Sequence, residues 1–72
     1  MSDLYESSLK KLINNKEAIK NWKILNISPG DPYFYKGIAE GLNYGHVNTF
    51  CGGCITAMYT FLYDFLKERN EL

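Results

Sequence analysis

Apolar residues recur along this chain at helical spacing in three stretches, parted by two interruptions. In the first stretch Leu9, Leu12, Ile13, Ile19 and Trp22 follow the three- and four-residue intervals that stack side chains on one helix face. Asp3, with Glu6 three positions later, has the side-chain logic of a capping box, so a helix is predicted over residues 3–25. Asn14 and Asn15 are poor helix formers and predict a break there, with Asn15 capping a second segment. Ser28-Pro29-Gly30-Asp31-Pro32 is the strong interruption. It combines a turn, an N-cap acid at Asp31 and a proline suited to the first helical position.

From Pro32 the row Phe34, Ile38, Leu42 predicts another helix, ending at Gly45 or running on to Phe50. Gly37 and Gly41, four apart, would leave a smooth strip along which a second helix can approach. A last helix is predicted over residues 54–69, with Ile55, Met58, Leu62 and Phe65 on one side. Its β-branched and aromatic residues would suit a strand, but its length and 3.6-residue spacing favour helix. The predicted fold is all-α: an up-down-up bundle of three helices, or four if the chain breaks at Asn14-Asn15, in one domain over residues 1–72.

So short a chain buries only roughly 60% of the surface its unfolded form exposes, which leaves a thin stability margin and favours a staple. Two cysteines are the available material. The start MSDLYESS carries neither a basic segment nor an apolar leader core, and no run approaches the ~20 apolar residues that span a bilayer. The expectation is a cytoplasmic protein. In a reducing compartment a C-x-x-C pair serves as metal ligands or redox groups more often than as a structural disulfide.

Net charge is zero but unevenly divided. Residues 1–26 hold five lysines against three acids, and residues 27–72 hold three bases against five acids. Lysines 10, 11, 16, 20 and 23 are read as a solvated helix face, too weak a basic excess to indicate phosphate binding.

The chemistry concentrates in His46-Val-Asn-Thr-Phe-Cys51-Gly-Gly-Cys54. C-x-x-C spacing lets two thiolates take two corners of a tetrahedron, and His46 supplies a third soft donor. Gly52 and Gly53 are expected to allow positive φ angles in a tight turn and to bare N–H groups toward sulfur. Three readings stay open: a metal site, a dithiol redox pair, and two unrelated buried thiols. The metal is expected to be zinc, held by His46, Cys51, Cys54 and Glu6, with Asp3, a water or a second chain as other sources of the fourth ligand. In antiparallel packing Glu6 and Asp3 would lie nearest, whereas Asp64 sits roughly 15 Å along its helix from Cys54. A homodimer pairing two Cys51/Cys54 sets would give four thiolates, and iron–sulfur ligation would need such a dimer.

No H-E-x-x-H, G-x-S-x-G or phosphate-loop pattern is present, and no enzymatic activity is expected. Six tyrosines exceed what a small core encloses, which suggests a protein interface with Tyr33, Tyr35, Tyr44 and Tyr59 as candidate anchors. In size and in its Asn/Lys/Tyr-rich character the chain is similar to small proteins of phages and mobile elements. Its H-x4-C-x2-C segment at residues 46–54 resembles the metal-containing anti-CRISPR inhibitors. That resemblance implies a zinc-stapled protein-binding module that blocks an RNA-guided CRISPR nuclease by stoichiometric binding. Near-neutral charge departs from the acidic nucleic-acid mimics among such inhibitors and implies protein-surface blocking, without direct nucleic-acid contact. The alternatives are a metal-dependent DNA-binding regulator using the lysine face, and a dithiol redox protein.

Overall fold

A computed structural model describes residues 2–72 and shows four helices, with no strand among the described residues. They are α1 (Ser2–Asn14), α2 (Lys16–Leu25), α3 (Pro32–Gly41) and α4 (Gly52–Glu68). The long first helix does break at Asn15, giving the four-helix form. Asn15 occupies the N-cap position of α2 but its side chain makes no cap there. Its Nδ2 donates instead to the Lys11 carbonyl at 2.7 Å, closing the end of α1. Asp3 lies within the first turn of α1, where its charge suits the helix dipole, so the Asp3–Glu6 capping box does not form as expected.

α3 starts as the sequence indicates: Asp31 Oδ1 accepts from the Tyr33 amide at 2.9 Å, with Pro32 in the first turn. Its end differs from expectation. The helix stops at Gly41, and Asn43 takes the left-handed conformation (φ 69°), while Gly45 (φ 106°) falls in the following loop. The Tyr44 amide donates to Ala39 O and the Asn43 amide to Glu40 O, the two bonds of a Schellman ending. α4 ends the same way around Asn70, and α2 ends on Asn26, also left-handed. Asparagine tolerates this region because its short amide can hydrogen-bond locally.

α1 packs chiefly on α3, and α2 on α4. The core is Leu12, Ile19, Tyr35, Ile38, Ala39, Leu42, Val47, Met58, Tyr59, Leu62 and Leu66. Trp22 and Tyr35 both meet Tyr59 edge-on, at 5.4 and 5.7 Å between ring centroids, which draws the end of α2 and the start of α3 onto α4. Lys16 Nζ lies 3.4 Å from Glu71 Oε1, tying the start of α2 to the tail after α4. The radius of gyration, 11.2 Å, matches the about 11 Å expected of a folded domain this long. No described helix is long and apolar enough to cross a membrane.

Two packing expectations are corrected. Ile38 and Leu42 of the predicted row are buried as expected, but Phe34 is exposed and the neighbouring Tyr35 occupies the core in its place, so the inward face of α3 is Tyr35, Ile38, Ala39 and Leu42. Tyr35 and Tyr59 are thereby core residues and unavailable as surface anchors; of the four tyrosines proposed, Tyr33 is the exposed one, at 61%. The Gly37–Gly41 strip serves at one position only. A Cβ on Gly41 would fall on Ser8 of α1, whereas one on Gly37 would meet open space.

Candidate metal centre

Cys51 is the N-cap of α4, with extended backbone (φ −110°, ψ 112°). Its Sγ accepts the Cys54 amide at 3.2 Å, and its carbonyl accepts the Ile55 amide at 3.0 Å. Sulfur thus takes the place of the hydroxyl or carboxylate oxygen that usually satisfies the free N–H groups of a helix start. The loop before it is set by Asn48, whose Oδ1 accepts the Phe50 amide at 2.9 Å and whose carbonyl accepts the Cys51 amide at 3.2 Å. That turn leaves Phe50 92% exposed beside the two half-buried thiols.

The helix start polarises the pair. A hydrogen bond from Cys54, aided by the backbone amides of Cys54 and Gly53, pulls the Cys51 thiol below its ordinary value. The same interaction and burial raise Cys54. Cys51 is therefore the more acidic thiol of the pair and Cys54 the less acidic. In reduced, metal-free protein at neutral pH, iodoacetamide is expected to modify Cys51 before Cys54, because the thiolate is the nucleophile. Peptide mass mapping of a time course reads this directly, and earlier modification of Cys54 would reverse the assignment.

Cys51, Cys54 and His46 line one open hollow of about 390 Å³, together with Tyr44, Val47 and Ala57. His46 is 80% exposed by side chain, and its Nδ1 leans toward Glu40 Oε2 at 3.8 Å. Glu40 is held below the usual carboxylate range by a hydrogen bond from Lys36 at 2.9 Å, by the positive charge there and by His46. Glu6 is not in this hollow. It lines another depression on α1 with Asp3, Ser7, Lys10, Lys11 and Asn14, because Ser8 and Leu12 turn inward and carry that set outward. Among the described residues no three His, Cys, Asp or Glu side chains converge as a metal-holding group. The thiol pair suits a soft cation, while His46 and Glu6 do not complete a four-ligand shell in this arrangement.

Gly52 and Gly53 also depart from expectation. Neither has positive φ; both lie in the first turn of α4 as ordinary helical residues. Glu40 escaped the sequence reading altogether. Its signal was faint: a carboxylate six residues before His46 on the far side of a helix ending.

No known protein family, curated protein or solved structure matches this chain.

Proposed function

We propose that the chain is a non-enzymatic protein-binding module in which Cys51 and Cys54 grip a zinc ion at the head of α4. The observation that carries the binding role is apolar surface. Ile24, Leu25, Ile27, Tyr33 and Phe34 are all exposed around the α2–α3 connection, whose two ends the Trp22–Tyr59–Tyr35 stack holds at one side of the molecule. Monomeric proteins seldom leave several large apolar side chains together in water, and patches of this kind mark interaction sites. The partner surface that fits is an apolar recess able to take aliphatic and aromatic side chains.

The H-x4-C-x2-C resemblance supplies the partner class, an RNA-guided nuclease blocked by occupation of its surface. Inhibition of DNA cleavage by such a nuclease is expected to titrate near one to one and to persist at moderate salt, since desolvated apolar contacts are screened little. The double substitution Ile24→Lys/Phe34→Lys is expected to keep the helicity, both positions being exposed, and to lose inhibition by more than about tenfold, as hot-spot truncations do. Inhibition unchanged by that substitution would remove the patch from the interface. No inhibition at any ratio would withdraw the nuclease as partner.

A second reading has its own observation in the opposed behaviour of Cys51 and Cys54 at a helix start. That arrangement suits thiol–disulfide exchange: the Cys51 thiolate would attack a partner disulfide, and Cys54, losing its proton, would release the partner as a dithiol and leave a Cys51–Cys54 disulfide. Turnover in a disulfide-reduction assay supports this reading over the zinc grip.

A further inference from the structure

We infer that the Cys51–Cys54 turn is half of a zinc site that a second copy of this chain completes, with four thiolates from two copies closing the tetrahedron. The inference rests on the zinc reading above and adds the missing ligands. Three observations lead to it. The first is ligand number. Two thiols converge, no third His, Cys, Asp or Glu joins them among the described residues, and Glu6 faces another depression. Structural zinc is almost always four-coordinate, so two donors must come from outside the chain.

The second observation is Gly52-Gly53. Glycine is unfavourable in a helix relative to alanine. Here neither glycine is required by backbone conformation, and a Cβ on Gly52 would meet nothing, while one on Gly53 would touch only Cys51 Sγ at 4.0 Å. The fold of the single chain does not need them. With Zn–S bonds near 2.3 Å, sulfurs in a tetrahedral site lie about 3.8 Å apart, so two such turns must bring their backbones close together. Bare backbone at Gly52 and Gly53 permits that approach.

The third is Phe50, 92% exposed next to Cys51, with its backbone amide held by Asn48. A two-fold axis through the zinc sets the same patch of each copy against the other and covers both phenylalanines. Binding releases the protons of the thiols to solvent and leaves a zinc–tetrathiolate centre with charge −2, favoured by the amides at the two helix starts. The tip-to-tip contact is small, so the metal holds the copies together.

The test is light scattering with elemental analysis and zinc X-ray absorption on the zinc-loaded, reduced full chain. The expected result is a dimer with about one zinc per two chains and a shell of sulfur alone near 2.3 Å, which separates into monomers on chelation. His46→Ala should change none of this. Gly52→Leu, whose Cβ meets nothing within 4 Å in its own chain, should keep the helicity and abolish the dimer. A zinc-loaded monomer with nitrogen or oxygen in the shell, zinc lost in His46→Ala, or a dimer that survives chelation would overturn the shared site while leaving the zinc grip standing. A chain that takes up no zinc would overturn both.

Discussion

Leu62→Ala is expected to cost this domain about 2–5 kcal/mol. Leu62 is completely buried in the middle of α4, in the cluster that also holds Leu12, Ile19, Ile38 and Met58. Truncation removes the transfer free energy of its methyl groups and leaves a cavity that four short helices cannot fully close. At 0.05–0.15 kcal/mol per residue, a domain of this length has about 4–11 kcal/mol in all, so the loss takes a large share of it. Urea unfolding followed by circular dichroism should show the midpoint falling sharply or the folded baseline disappearing. Phe50→Ala, at a position 92% exposed, should change the stability by less than about 0.5 kcal/mol. Equal effects of the two substitutions would mean that α4 does not pack as described.

A pair of glycine substitutions of opposite sign is the second expectation. An added Cβ at Gly41 would sit 2.8 Å from the Cβ of Ser8 and 3.4 Å from the Leu4 carbonyl oxygen, besides colliding with the Ser8 hydroxyl. Rotation of Ser8 relieves the hydroxyl, but the Cβ contact yields only if α1 and α3 separate. Gly41→Ala should therefore destabilise by about 1–3 kcal/mol, with the gain in helix propensity offsetting up to about 1 of it. Gly37→Ala meets nothing within 4 Å and should stabilise by up to about 1 kcal/mol through propensity alone. Thermal melts of both variants and of Gly41→Ala with Ser8→Gly decide the matter, since the second change vacates the contested space. Stabilisation by Gly41→Ala would contradict the close α1–α3 approach.

The helices were legible because local signals agreed: Asp31-Pro32 opened α3, and the period of Ile55, Met58 and Leu62 ran the length of α4. Ile38 and Leu42 mark the inward side of α3, but which aromatic of its first turn joins them is not legible. Phe34 and Tyr35 are adjacent and both aromatic, so periodicity alone does not rank them, and a tyrosine is buried here because its hydroxyl reaches the Pro29 carbonyl at 3.1 Å. Burial of that hydroxyl pushes Tyr35 above its ordinary value. The end of α3 lies earlier than Gly45 suggests, since Asn43 performs the left-handed turn expected of that glycine, whereas α2 and α4 end within a residue of the predicted positions.

The thiol pair could be found from spacing, because residues three apart at a helix start are neighbours whatever the rest of the chain does. Its carboxylate surroundings could not. Whether Glu6 or Glu40 stands near His46 depends on how α1 rotates about its axis and on where the Asn43 turn redirects the chain, and both are decided by packing. Asn43 folds the loop back so that His46 returns toward the last turn of α3, which brings in Glu40. Ser8 and Leu12 set the rotation of α1, which takes Glu6 away.

The most direct measurement of the central claim is the zinc content of protein purified without chelator, compared with that of a Cys51→Ser/Cys54→Ser variant. Both thiols lie at a surface turn outside the buried core, so the variant should keep its helicity and its zinc content alone should change. The expected result is zinc at about one atom per one or two wild-type chains and none above background in the variant, since deprotonated thiolates supply most of the binding free energy. Wild-type protein without zinc, or a variant that retains it in full, would contradict the grip of Cys51 and Cys54.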